Sequence, residues 1–546
     1  MKFYKKRAFL IIIDIIFLII ILSGYFFFAF DRLSEQGIYC DVGLLGNRAM
    51  GIYKNLHIEG EDFITFCSKS FPLTLLDYHG PVEIYAFLPA MYIFGNTAFS
   101  LHVVPVIFGG LVLLVFYALV LLLYRSRLLA GSIIVMLAFL PTFIAANRIG
   151  LYTSTLSMFF GVSSVLCYVL WIRKNKFYWL AAACFLLGLG IGSRCQFWWL
   201  PPALLIFAVI FYHGQFLRIK TMPFLKKAFC FFALFIGSFP LVLFNIRSQC
   251  QTLRFFTKHA VVSADGIPNL HYIKNFMERV NELASLLNST VYCGANENPV
   301  IVYTFIAAVA ILLLNALFLP ILAKRRISGV YLFPLIIFLL VFLQSPLTCS
   351  GMSALHIFYM LPFALMIIAA AVASCQIRFL RMFFSALLIA VMIFSLRINF
   401  ISLLGREAHL WTHGGSEVRW NIALDALEWL KKNGIERVGL GDTGIKDALV
   451  YQNGSDKGIE EVFYADFLGN FISREAKENA LRERLRGEKE GYYLFRRYPW
   501  VPYFDDFAKI AKEENKDIAI AKEFKMHQQG GETVYVLYKV NDTIQK

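Results

Sequence analysis

Acidic residues are what the first 400 positions lack. They hold only 13 Asp and Glu, and eight of these fall between Asp31 and Glu83. A soluble surface of that size carries acids throughout, so the ordinary globular classes are excluded. Metal-type cysteine spacing is missing too: ten cysteines are scattered with no CxxC pair. The tail has no glycine-rich phosphate loop and no metal-spaced His/Cys set. There is no internal repeat, which argues against the repeat-built transporters. What fills the chain is apolar. Hydrophobic residues make up 58% of it, with 54 phenylalanines and a mean hydropathy of +0.62.

Apolar runs long enough to cross a hydrocarbon core of about 30 Å recur from residue 8 to residue 397. They predict eleven spans: 8–30, 101–124, 129–146, 152–172, 177–193, 196–212, 228–246, 299–321, 330–346, 354–375 and 380–397. The first run is longer than a signal-peptide core and no small-residue cleavage site follows it. Residues 80–95 are apolar but short, and read as a re-entrant or interface-lying helix. The basic clusters at 2–7, 125–127, 173–176, 218–227, 324–326 and 378–381 then all fall on one side, as the positive-inside rule requires. Counting 80–95 as a crossing would scatter them.

The expected fold is therefore a polytopic α-helical membrane protein of eleven transmembrane helices, with its N-terminus cytoplasmic and its C-terminus outside. The outer parts are loop 31–79, loop 247–298 and everything beyond residue 400. The expected location is the bacterial inner membrane, with the C-terminal domain periplasmic. Residues 1–400 carry a net charge of +17 and 401–546 a net charge of −2. Basic loops facing anionic lipid explain the overall +15, so membrane lipids are expected partners and nucleic acid is not.

Residues 401–546 read as a small extracytoplasmic α/β domain. The pattern predicts helices at 421–432, 473–490 and 501–514, strands at 437–441 and 492–495, and a terminal strand pair at 518–524 and 533–540. Cysteines 40, 67, 250, 293 and 349 fall in or beside outer loops. Pairs Cys40–Cys67 and Cys250–Cys293 suit an oxidising compartment, and free thiols suit the sequence equally.

Four pieces meet at the outer membrane face. The first is loop 31–79 with Asp41. The second is Asp77, Tyr78, His79, Gly80, Pro81, Val82 and Glu83, leading into the interface helix. The third and fourth are Arg148 and Arg194, lone basic residues on outer turns where the positive-inside rule does not want them. An acid near a headgroup with arginines at the same depth suits a lipid phosphate, whose oxygens match the guanidinium fork. A carboxylate there is placed to take a proton from a hydroxyl. Asp77 is the alternative base, and Glu83 a second acid whose plain reading is helix-dipole placement. Tyr78, Tyr85 and Tyr359 read as interfacial belt aromatics. Asp14, inside the first span, is expected to pair with Lys or Arg.

The residues also carry a resemblance. Residues 78–123, YHGPVEIYAFLPAMYIFGNTAFSLHVVPVIFGGLVLLVFYALVLLL, resemble the early region of the GT-C glycosyltransferases. The nearest likeness is to bacterial relatives of protein O-mannosyltransferases and lipid A aminoarabinose transferases. LPTFIAANRIGLYTSTLSMFF, GLGIGSRCQFWWLPP and LHIFYMLP resemble later family segments in the same order, so the likeness runs over residues 1–400. It implies an inverting hexosyl or pentosyl transferase using a polyprenyl-phosphate sugar donor. The implied acceptor is a hydroxyl of a lipid, glycan or protein on the outer face. It implies Asp41 as general base, with His79, Arg148 and Arg194 on the lipid phosphate and His356 at a late-span position where arginine is common. The family leaves a divalent cation open, since some members bind one and others need none. Two departures stand out: Val42 follows Asp41 where Glu is usual, and Gly80 replaces the first proline of the family's turn. The rival reading from topology alone is a transporter or lipid flippase, which predicts mid-membrane acids and a repeat.

Overall fold

The computed structural model describes residues 2–543 except 36, 39, 55–61, 68, 151–153, 212, 264–265, 291–297, 323–327, 348–353, 414–417, 442–445, 454–458, 462–473, 498–502 and 526–532. The chain opens with α1 (Lys2–Phe30) and α2 (Cys40–Tyr53). A two-stranded antiparallel ribbon follows, β1 (Phe63–Phe66) and β2 (Lys69–Pro72). Next come α3 (Val82–Phe94), α4 (Ala98–Tyr124), α5 (Arg127–Ala138), α6 (Pro141–Ile149), α7 (Ser154–Lys174), α8 (Phe177–Ile191), a short 3-10 turn at Cys195–Trp199, and α9 (Leu200–Phe211). The remaining helices up to residue 413 are α10 (His213–Thr221), α11 (Phe224–Arg247), α12 (Gln251–Lys258), α13 (Tyr272–Asn288), α14 (Pro299–Leu322), α15 (Gly329–Gln344), α16 (Leu355–Phe358), α17 (Leu361–Ser374) and α18 (Arg378–His413).

Among the described residues, seven helices are long and apolar enough to cross a membrane, and α5 with α6 adds an eighth candidate bent by 54°. Three shorter apolar helices, α8, the Cys195–Ile210 stretch and α15, fall on the other predicted segments. The bend has a local cause. Pro141 starts α6 and cannot donate back into α5, so the chain turns at Phe139 and Leu140. α3 is 13 residues long, too short to cross a hydrocarbon core of about 30 Å unaided.

The chain divides into two compact units. The first comprises residues 1–31, 58–86 and 103–406. Within it α17 is buried almost throughout, and its Ala369, Ala370 and Ala371 leave room for close neighbours. α1 and α18 sit at the other extreme, with Ile11, Ile16, Phe27, Phe379 and Phe383 exposed, as lipid-facing helices are. α8 and α11 touch backbone to backbone. A Cβ on Gly188 would stand 2.2 Å from the Leu234 carbonyl oxygen, and one on Gly237 2.4 Å from that of Phe185. Small residues permit such an approach, and dispersion holds it. Asp14 pairs with Arg127 at 2.8 Å and accepts from the Tyr117 hydroxyl at 3.0 Å, so the expected basic partner comes from α5.

The second unit comprises residues 32–57, 87–102 and 407–546. The tail supplies α19 (Val418–Lys432), β3 (Val438–Leu440), α20 (Lys446–Asn453), β4 (Ile459–Glu461), α21 (Arg474–Gly487), β5 (Glu490–Arg496), α22 (Tyr503–Glu513), β6 (Lys516–Lys525) and β7 (Thr533–Asp542). The strands form one sheet in the order β4-β3-β5-β7-β6. β3 runs parallel to β4 and β5, and β7 is antiparallel to β5 and β6. Alternation along β5 sends Leu494 to a core with α19 and α20, and Tyr493 and Phe495 to a core with α21 and α22. In the same unit Tyr451 of α20 lies against Gly46 of α2, and its hydroxyl is 2.9 Å from the Ser100 hydroxyl.

Cys67 and Cys250 are free thiols, so neither suggested disulfide is made. Cys293 lies outside the described residues.

Candidate functional site

The site grows from two turns of the first unit. One is the approach to α3. The His79 amide donates to the Leu76 carbonyl at 3.0 Å, and the Leu75 amide to the His79 carbonyl at 2.8 Å. The Thr74 hydroxyl donates to the carbonyls of Leu76 and His79, closing the loop from inside. The other turn ends α8. The Ser193 hydroxyl donates to the Gly190 carbonyl at 2.8 Å and lies 2.7 Å from the Ser157 hydroxyl. Arg194 then takes extended backbone before the 3-10 turn.

These two turns touch through glycine. A Cβ on Gly80 would stand 2.1 Å from the Gly192 carbonyl oxygen. The absence of a side chain at Gly80 is what lets His79 and Glu83 come beside Arg194.

Two further elements complete the cluster. α13 presents Arg279, whose one Nη donates to Glu282 at 2.9 Å while the other lies 3.3 Å from Nδ1 of His356 on α16. The Arg194 Nε donates to the Gln196 side-chain oxygen at 3.0 Å, and the Tyr359 hydroxyl to the Gln196 carbonyl at 3.0 Å. His79, Glu83, Arg194, Arg279 and His356 are all buried.

The electrostatics follow from that burial. Desolvation holds the His79 imidazole well below its ordinary range, and the Arg194 charge pushes the same way. Desolvation lifts the Glu83 carboxyl to about 8, against the helix's own amide, Arg194 and Ser193. Desolvation also lowers Arg279, with Glu282 opposing, and raises Glu282, with Arg279 opposing. His356 faces Arg279, Arg194 and His79. Two guanidinium groups and two imidazoles thus share a buried space with the carboxyls of Glu83 and Glu282. The guanidinium fork is of the kind that suits phosphate oxygens.

The other candidate residues lie as follows. Arg148 is buried and donates to the Phe28 carbonyl at 2.6 Å, while neighbouring Asn147 donates to the Tyr25 hydroxyl and accepts from Thr155. Asp77 accepts from the Gln251 side chain at 3.1 Å, and its carbonyl from the Thr252 hydroxyl at 2.6 Å, which ties α12 to the loop. Asp41 belongs to the first turn of α2, and its side chain lies outside the described residues. Tyr78 and Tyr359 are not belt aromatics. Tyr78 is buried, stacked on Phe255 at 4.4 Å between ring centres, and Tyr359 is buried beside Gln196. No group of three His, Cys, Asp or Glu side chains converges among the described residues to hold a cation.

Arg279 is the residue that sequence reasoning missed. It sat inside loop 247–298, which proves to be largely helical through α12 and α13.

Residues 78–239 match the family model described as dolichyl-phosphate-mannose-protein mannosyltransferase. That segment contains His79, Glu83, Arg148 and Arg194. No curated protein sequence matches the chain. Among solved structures, ArnT from Cupriavidus metallidurans bound to undecaprenyl phosphate matches with a TM-score of 0.62 at 11% identity, over 95% of this chain and 97% of that one. The same protein in its apo state matches with a TM-score of 0.61, at the same identity and coverage. At that identity the likeness establishes the fold. In fold, and over residues 78–239 in sequence, the chain is a relative of the GT-C superfamily.

Proposed function

We propose that this protein is an inverting glycosyltransferase that takes a sugar from a polyprenyl-phosphate carrier and places it on a hydroxyl acceptor at the outer membrane face. The observation that carries the reading is the buried cluster of Arg194, Arg279, His79 and His356. As the glycosidic bond breaks, charge builds on the phosphate, so cations fixed in a dry site favour the transition state over the ground state. The family match and the fold shared with a protein solved with undecaprenyl phosphate support the same carrier chemistry.

In this reading Asp41 is the general base for the acceptor, which is a lipid, glycan or protein hydroxyl. Arg148 belongs to the donor side as a second line of positive charge. The orientation proposed from the basic loops puts the N-terminus in the cytoplasm and residues 401–546 outside an inner membrane.

The test is transfer from labelled polyprenyl-phosphate monosaccharides in membranes carrying the wild type or Asp41→Asn. The expected result is transfer by the wild type and a loss of about 100-fold or more in the variant. Undiminished transfer by Asp41→Asn moves the base to Asp77. Transfer only from diphosphate-linked donors makes the protein a polymerase or ligase of the same topology, and no transfer from either donor class favours the flippase reading.

A further inference from the structure

Glu83 is the acid that the cluster leaves unused. It stands in the first turn of α3 with no solvent exposure, and neither carboxyl oxygen reaches a partner at full hydrogen-bonding geometry among the described residues. Among those residues its own helix amide and Ser193 are its only near hydrogen-bonding groups, which leaves a buried carboxyl under-satisfied, and such groups persist where a ligand completes them. The Gly80–Gly192 contact holds it beside Arg194 and Ser193. Around that centre stand His79 from the preceding loop and Arg279 with Glu278 and Glu282 from α13. His356 from α16, Tyr359 and Cys195 complete the surroundings.

We propose that Glu83, in its protonated form, donates a hydrogen bond to the phosphate monoester that remains when the sugar has been transferred. The inference rests on the polyprenyl-phosphate reading above. The donor is a phosphodiester with one negative charge. Transfer breaks the bond between the anomeric carbon and a phosphate oxygen, and the electron pair stays on that oxygen. The acceptor oxygen bonds the anomeric carbon, and its proton goes to the base. The monoester left behind holds a second negative charge among buried cations that bind it tightly. The protonated Glu83 carboxyl holds that dianion by donating to a phosphate oxygen, and no proton changes hands. Loss of the Glu83 proton to solvent leaves a carboxylate that repels the dianion and competes for Arg194, which loosens the product. Solvent then restores the proton to Glu83 and removes the one on the base.

Burial supports the role, because it holds the carboxyl protonated up to about pH 8. His79 is pushed the opposite way and does not titrate in that range.

The experiment measures binding of a polyprenyl monophosphate and of its methyl diester to the purified full-length protein in detergent, from pH 6.5 to pH 9.5. In the wild type, monoester affinity is expected to fall about tenfold per pH unit above about 8, as the protonated fraction of one group does. The diester, with no second charge for a Glu83 carboxylate to repel, is expected to depend on pH more weakly. Glu83→Gln is expected to lose the alkaline fall while still binding the diester, which reports a folded site. Glu83→Asp is expected to keep the fall. The same fall in Glu83→Gln, or none in the wild type, overturns the role of Glu83 alone. Failure of the wild type to bind either ester overturns the phosphate site itself, and this inference with it.

Discussion

Gly80 and Gly192 meet backbone to backbone, so close that a Cβ on Gly80 would stand 2.1 Å from the Gly192 carbonyl oxygen. Neither side can yield by rotating a side chain. Gly80→Ala is therefore expected to cost about 1–3 kcal/mol as an overpacked site. It should also lower sugar transfer by about tenfold or more, because His79 and Glu83 move away from Arg194. Gly487→Ala, where the added methyl meets open space, is the control and should change neither quantity. Thermal unfolding and transfer assays on both variants check this. Normal transfer by Gly80→Ala would mean that the two turns need not touch for the site to work.

How much of this was legible in the sequence depends on what kind of signal each residue leaves. The apolar runs were plain because lipid-facing and interior helices are both greasy, and their lengths follow the bilayer. The bend between α5 and α6 was less plain, since Pro141 sits inside an otherwise unbroken run. Arg194 stood out as a lone basic residue on a turn between spans, and His79 by its place in the 77–83 stretch ahead of Gly80 and Pro81. Arg279 did not, because it fell inside a stretch read as loop 247–298, with Glu278 and Glu282 beside it. The overlooked signal was the spacing of Asn275, Arg279, Leu283 and Leu286, which share the buried face of α13. Tyr78 and Tyr359 misled for a related reason: a tyrosine near a membrane boundary looks the same whether it anchors in headgroups or lines a site. α2 went unread because three glycines obscured the helical spacing of Val42, Leu45, Ala49 and Ile52, all of which are buried.

Arg279 supplies a fork that lysine cannot reproduce, one arm on Glu282 and the other toward His356. Arg279→Gln is expected to lower kcat by about 100-fold or more, the usual loss for one fixed donor on developing charge. Arg279→Lys should recover only part of that loss, since the charge returns without the planar geometry. Removing Arg279 also strands the half-buried Glu282. The double variant Arg279→Gln/Glu282→Gln should regain thermal stability without regaining transfer. Recovery of both together would assign Arg279 a structural role only.

His79 gives the free protein an acid-sensitive stability. Its folded imidazole is held well below the ordinary value of 6.5, so the unfolded chain binds more protons as the pH falls through about 6.5. Stability therefore drops on the acid side, by up to about 1.4 kcal/mol for each unit below that value. His79→Asn should make the decline shallower. A bound polyprenyl phosphate should do the same in the wild type, because the dianion favours the imidazolium. Unfolding midpoints from pH 5 to pH 7.5 test the sign, and an unchanged acid decline in His79→Asn would remove His79 as its source.

Tyr451 links the tail sheet to the helix that bears Asp41. Its ring lies against Gly46 of α2, its hydroxyl meets that of Ser100, and its carbonyl accepts from the Asn96 side chain. Tyr451→Phe removes one buried hydrogen bond and should cost about 1 kcal/mol with modest effect on transfer. Tyr451→Ala removes the surface on which α2 rests and should cost about 3–5 kcal/mol locally. If Asp41 is the base, that loosening falls on proton removal from the acceptor and not on the phosphate. Transfer should then fall by about tenfold or more through kcat, while polyprenyl phosphate binds as before, since its cluster belongs to the other unit. A parallel loss of phosphate binding would show that the tail supports the donor site as well. An unchanged kcat would show that α2 holds its place without the tail, and the domain's role would then have to be sought in the acceptor.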